Sequence, residues 1–151
     1  MTEPRISVRP LEEDDLGEWF RLRKLLWDEL PEDEHKAEML DIVDHIETQH
    51  VLVADTGNGR LVGFLEVSIR PFVEDCQTDH VGYLEGWFVD GEYRGRGVGR
   101  GLVTAAENWA KQKNCTEMAS DAEFGNQTSL KAHMRLGYEE TSRLIHLRKE
   151  I

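Results

Sequence analysis

Cysteine is scarce in this chain: Cys76 and Cys115 stand alone among 151 residues. Two isolated thiols supply neither a disulfide framework nor a zinc-ligand spacing, and reduced side chains in a cytoplasmic protein are the expectation. No apolar run approaches the ~18 residues of a membrane span. The start, Met1-Thr2-Glu3-Pro4-Arg5, lacks the basic and apolar regions of a secretory leader. Positive charge is also short. Eighteen Lys and Arg face thirty Asp and Glu, a net charge of −12. Nucleic acid and anionic membranes need positive surface, so neither is an expected partner. A polycation is, because an acidic field raises its encounter rate. His35, His45 and His50 fall at spacings that share no helix face, so no metal set is expected. Repeats, low-complexity segments and linkers are missing, and residues 1–151 read as a single domain of ordinary size.

What is abundant is glycine in one place. Arg94-Gly95-Arg96-Gly97-Val98-Gly99-Arg100-Gly101 has glycine at every second position. It follows the strand-like run from Gly82 to Val89 and precedes a helical pattern through Leu102, Val103, Ala106, Trp109 and Ala110. Strand, glycine turn and helix in that order aim backbone N–H groups at one point, and the helix start adds about half a positive charge. That is the physics of a phosphate site. The alternative is that the glycines only let the helix pack closely. A Walker A loop is excluded because no Lys sits in the turn. The dinucleotide fingerprint fails in the Gly95 and Gly97 registers, where Arg100 and Leu102 replace the third glycine.

The remaining elements follow from periodicity and punctuation. Ile6 to Arg9 reads as a strand stopped by Pro10. Asp14 or Asp15 can cap a helix with Leu16, Trp19, Phe20, Leu22, Leu25 and Leu26 at helical spacing, closed by Trp27. A second helix is expected from His35 to Glu47. Val51–Ala54 and Leu61–Ile69 read as strands joined by the hairpin signal Thr56-Gly57-Asn58-Gly59. After the long helix come a strand at Thr116–Asp121, a helix from Asn126 to Arg135 ending at Gly137, and two short strands, Tyr138–Thr141 and Leu144–Arg148.

Within Gly82–Val89, a period of two puts Glu85, Trp87 and Val89 on one face and Leu84, Gly86 and Phe88 on the other. Burying a glutamate there unpaired costs several kcal/mol, so Glu85 should meet a cation or rise in pKa. Gly86 suggests a bulge that splays the sheet and opens a slot.

Arg94-x-x-Gly97-x-Gly99 after a strand resembles the acyl-coenzyme A pyrophosphate loop of the GCN5-related N-acetyltransferase (GNAT) superfamily, and the element string matches its order. The resemblance implies an α/β (α+β) GNAT fold, with a central mixed, mostly antiparallel twisted sheet splayed at strand 4 and helices on both faces. It implies acetyl-CoA as cosubstrate and no metal. Trp87, Phe88, Val89, Arg94, Gly95, Arg96, Gly97, Val98, Gly99, Arg100 and Asn126 would bind it. The reaction implied is attack of a neutral amine on the thioester. An alkyl amine of reference pKa about 10.4 is neutral in roughly one molecule in 10³ at pH 7, so deprotonation needs on the order of 4–5 kcal/mol of help. Glu85 would receive or orient that amine, directly or through water. The family pattern Asn-x-x-Ala-x-x-x-Tyr-x-x-x-Gly-Phe falls on Asn126, Ser129, His133, Gly137 and Tyr138. His133 stands in the tyrosine's place as general acid, or is simply a core or surface histidine.

Over residues 5 to 148 the chain is similar to the aminoglycoside 6′-N-acetyltransferases. The carrying segments are Leu22–Trp27, Ser68–Arg70, Tyr83–Val89, Glu117–Asp121 and Leu136–Thr141. By that similarity Trp27, Phe72, Glu85 and Asp121 would line the acceptor site, the acceptor would be a 6′-amino group, and the enzyme would be a homodimer conferring antibiotic resistance. A polyamine or protein acetyltransferase, or a non-catalytic acyl-CoA sensor, are the alternatives.

Overall fold

The computed structural model describes residues 5–151; Met1–Pro4, part of the segment read above as lacking a leader, lie outside them. Among the described residues, five strands form one sheet in chain order: β1 (Ser7–Pro10), β2 (Gln49–Asp55), β3 (Leu61–Arg70), β4 (Val81–Val89) and β5 (Met118–Ser120). The first four pair antiparallel and β5 runs parallel to β4. The α-helices among the described residues are α1 (Leu16–Leu26), α2 (Glu32–Asp44), α3 (Val98–Gln112) and α4 (Gln127–Arg135). Pro10 is the last residue of β1, paired with Leu52, where its missing N–H leaves the strand to end.

Alternation along β2 divides the core. Leu52 and Ala54 join Leu102, Val103, Ala106 and Trp109 of α3 in one cluster; Val51 and Val53 join Trp19, Leu22 and Met39 of α1 and α2 in another. Helices therefore cover both faces of the sheet. The buried stripe of α1 is Trp19, Leu22 and Arg23, while Leu16 and Leu25 point outward. Helix α2 starts at Glu32, three residues earlier than its pattern indicates, because Pro31 occupies its N-cap with φ −58° and ψ 150°.

The sheet parts where expected. Strand β5 pairs with β4 only from Gly82 to Leu84. On the other side of β4 the register with β3 jumps: Val67 faces Leu84 but Glu66 faces Gly86, so Glu85 is the extra residue of a β-bulge. That bulge overturns the two-residue face assignment. Leu84, Trp87 and Val89 pack together on the α3 side, while Phe88 joins the α1 side.

The two closing strands do not form. Residues 139–151 make no ladder among the described residues, and Leu144, Ile145 and Leu147 are 62%, 87% and 90% exposed. A strand forms only where its backbone groups find a ladder partner, and this segment finds none among the described residues.

Candidate functional site: an acidic cleft beside a glycine turn

The glycines of the turn divide by job. Gly95 and Gly97 take φ of 78° and 84°, left-handed values that suit a residue without Cβ, and Gly97 is the N-cap of α3. The helix begins at Val98, earlier than the pattern from Leu102, so Gly99 and Gly101 lie inside its first turn. There they permit close packing: a Cβ at Gly99 would come within 3.1 Å of the Trp87 ring, and one at Gly101 within 3.3 Å of Val8. Close packing thus accounts for Gly99 and Gly101, and left-handed backbone for Gly95 and Gly97. The first N–H groups of α3 have no acceptor within the helix and no side chain at Gly97 to cap them. Arg94 donates from Nε to the Val89 carbonyl at 2.9 Å, fastening the turn to the end of β4. Arg96 lies against the Tyr93 ring and Arg100 is exposed. Beneath Gly99, the Trp87 indole Nε1 is buried without a hydrogen-bond partner among the described residues. Uncapped amides, three arginines and an orphaned buried donor fit a diphosphate with a polar tail.

The bulge turns Glu85 outward rather than burying it, which corrects the expectation of a carboxylate enclosed in an apolar strand. It does meet a cation. Arg70 donates from Nε to Oε1 at 2.8 Å and from one terminal nitrogen to both oxygens at 2.5 and 2.6 Å, and Ser68 adds a bond at 3.1 Å. The Arg70 guanidinium lies 3.6 Å above the Tyr83 ring, and Tyr83 donates its hydroxyl to Asp121. Burial first, then the bonded Asp121, pushes the Tyr83 hydroxyl pKa upward, so it stays a donor. Glu85 and Asp121 are thereby joined through Arg70 and Tyr83. Neither intermediary carried a site role in the sequence reading; only their place in the similar segments marked them.

Glu85 opens onto a cleft of about 1230 Å³. Its lining includes Trp27 and seven acids, Asp28, Glu29, Glu38, Asp41, Glu66, Glu85 and Glu123, with no Lys or Arg among the described lining residues. Trp27 closes α1 and its ring lies so near β4 that a Cβ at Gly86 would come within 2.7 Å of Cζ2. Trp27 and Glu85 are thus brought together as expected. Asp121 is reached through Tyr83. Phe72 is not in the lining: it stands 73% exposed beyond the end of β3.

His133 is 8% exposed, edge-on to Trp87 and Tyr138. Its Nδ1 lies 2.7 Å from the Ser129 carbonyl, which can only accept, so Nδ1 carries the proton. Nε2 then accepts from the Ser120 hydroxyl at 2.8 Å. Ser120, the residue missed in the sequence, sits at the end of β5 where pairing with β4 stops. Asn126 caps α4 through its side-chain oxygen, accepting from Ser129 N at 3.1 Å, which leaves its amide NH₂ as the donor toward any ligand.

A sheet opened beside a bulge, with a glycine-capped helix at its mouth, defines the acyl-CoA-dependent N-acyltransferase class. The chain belongs to the acetyltransferase (GNAT) family, whose pattern matches residues 19–138. It is 42% identical, over 97% of its length and 99% of the relative's, to an aminoglycoside N(6′)-acetyltransferase type 1 of Acinetobacter baumannii. A protein of the same name from Klebsiella aerogenes is 38% identical over 95% of this chain and 96% of its own. Among solved structures, AAC(6′)-Iy in complex with the bisubstrate analog CoA-S-monomethyl-acetylneamine superposes with a TM-score of 0.91 at 37% identity, covering 97% of this chain and 99% of that one. AAC(6′)-Ih from Acinetobacter baumannii superposes at 0.90 with 41% identity and the same coverage.

Proposed function

We propose that this protein transfers the acetyl group of acetyl-CoA to the 6′-amino group of aminoglycoside antibiotics. The observation that carries the reading is the cleft: seven carboxylates and no Lys or Arg among the described lining residues, with Glu85 at its wall. A polycationic acceptor matches that charge, and a protein of net charge −12 has little use for nucleic acid or an anionic membrane. Acetyl-CoA, when bound, supplies the activated acetyl group; its diphosphate would lie on the amides from Gly97 to Arg100, with Arg94, Arg96 and Asn126 alongside. Backbone groups of Trp87, Phe88 and Val89, freed from β5 by the splay, would hold the arm. Glu85 would orient the acceptor ammonium and take its proton or pass it to water, with Trp27 and Asp121 as walls. Phe72 would touch only an acceptor that reaches out of the cleft. His133, with Nδ1–H committed to a carbonyl, would act through the Ser120 hydroxyl rather than directly on a departing thiolate.

We read the functional unit as a homodimer of a cytoplasmic enzyme. The support is the segment 139–151, whose alternating Leu144, His146 and Arg148 against Ile145 and Leu147 suit a strand completed by a second copy.

The reading is tested by incubating the protein with acetyl-CoA and a 4,5- or 4,6-substituted 2-deoxystreptamine, following thiol release, and locating the new amide by NMR. Acetylation at N6′ is expected. Glu85→Gln should lower kcat by roughly 100- to 10,000-fold, the range of a lost acid–base contribution, while calorimetry finds the coenzyme Kd within twofold. Turnover only of spermidine or a basic peptide would reassign the acceptor; coenzyme binding without turnover of any amine would make the protein a sensor.

A further inference from the structure

Beneath the cleft lies a buried polar cluster that acetyl transfer does not require. Arg23, on the buried stripe of α1, is 1% exposed. One terminal nitrogen donates to both oxygens of Glu66 at 2.7 and 2.5 Å, the other donates to Glu38, and Nε donates to His35 Nδ1 at 3.2 Å. The guanidinium also lies 4.7 Å over the Trp27 ring. His35, fully buried, has only one arrangement compatible with this partner. Arg Nε–H can only donate, so His35 Nδ1 accepts, and Nε2 carries the proton and donates to the Trp27 carbonyl at 3.0 Å. Trp27 is therefore fixed at four points: carbonyl by His35, ring face by Arg23, ring edge by Phe64 at 6.0 Å, and indole tip by Gly86. A hydrophobic residue at position 23 would fill the same space. A guanidinium instead fixes plane and register, because its donors point in set directions.

We propose that Arg23 and His35 are positioning residues for the amine acceptor: they hold Trp27, and with it the cleft wall facing Glu85, in the one orientation that presents the acceptor amine. The inference rests on the cleft being the acceptor site. The coenzyme contacts proposed above, at the turn that opens α3, would be independent of it.

The test separates positioning from plain stability. His35→Leu keeps the volume but loses both hydrogen bonds; His35→Gln keeps an acceptor for Arg23 and a donor for Trp27. For His35→Leu we expect the acceptor KM to rise about tenfold, equivalent to about 1.4 kcal/mol, with the acetyl-CoA KM within twofold. For His35→Gln we expect an acceptor KM within about threefold of the parent, the loss of one imperfect hydrogen bond at most. Arg23→Lys retains charge against Glu66 yet loses the planar contact and the Nε–H, and should behave as His35→Leu; it serves if the leucine variant does not fold. Val53→Ala, a core truncation in the same layer, should lower Tm and leave both KM values unchanged. An unsplit pair of KM values in His35→Leu or Arg23→Lys, or a glutamine variant no better than leucine, overturns the proposal. If the parent protein acetylates no amine, the acceptor-site reading falls and this inference with it; turnover with unsplit KM values sinks the inference alone.

Discussion

Arg9 is clamped between two carboxylates. It donates to Asp15 at 2.6 and 3.0 Å and to Asp55 at 2.9 Å, tying β1 to the start of α1 and to the end of β2. Asp15 is 3% exposed and also accepts from Glu12 N at 2.8 Å. Arg9 holds the Asp15 pKa below its ordinary 3.8 against the opposing effect of burial. A carboxyl lowered by folding contributes stability above the unfolded value and loses it as pH falls through the folded one. Asp15→Asn should therefore cost about 2 kcal/mol at pH 7, the range for a charge-assisted bond, and progressively less below pH 3.8. Urea unfolding at pH 7 and pH 3 measures both; a difference unchanged between them would refute the linkage. Sequence offered Asp14 or Asp15 as a cap for α1; Asp15 takes the N-cap position, but its carboxylate makes no cap bond to the helix and turns back to Glu12 N and Arg9 instead. Arg23 was more legible than it looked. It stands four residues after Trp19 and one after Leu22, on the stripe that must be buried, and a cation there needs a partner.

At the scale of elements, the split among glycines predicts different failures along one turn. Gly97→Ala forces a Cβ into φ 84° and should weaken coenzyme binding about tenfold, about 1–2 kcal/mol of backbone strain in the N–H array. Gly99→Ala leaves the turn intact but crowds Trp87, whose ring must give a few tenths of an ångström. It should lower Tm more than it lowers coenzyme affinity. Calorimetry beside thermal unfolding checks the pair; equal behaviour would show that the turn acts as one unit. The glycine turn, the helix that follows and the hairpin at Gly57 and Gly59 were legible because backbone chemistry is local there. Strand faces were not. Gly86 signalled a bulge, yet period-two counting runs straight through it and placed Glu85 with Trp87. The bulge shows only in the register with β3, which is a relation between distant segments.

For the molecule as a whole, the mixed sheet and the helices on both faces followed from the family resemblance, whereas the ends did not. Tyr138–Thr141 and Leu144–Arg148 have strand-like alternation, but alternation names a side to bury without naming the chain that buries it. A second copy supplies the missing neighbour in our reading. The 151-residue protein should sediment as a dimer at micromolar concentration, and a version ending at residue 141 as a monomer; a monomeric 151-residue protein would refute the exchange of this segment. The placement of Phe72 outside the cleft was illegible for a related reason. The loop from Pro71 to His80 has no period, so nothing in it says which way an aromatic ring points.

The extra residue in β4 sets a limit on how robust this enzyme can become. Healing the ladder would restore rungs to the sheet, and the same repair would swing residue 85 off the rim of the cleft and zip the split beside it. Sturdiness in the centre and an open seam for chemistry are opposite demands on one stretch of backbone. Variants selected for endurance to heat should thus accumulate changes at the hairpin, the helix surfaces and the tail, and leave that irregularity alone.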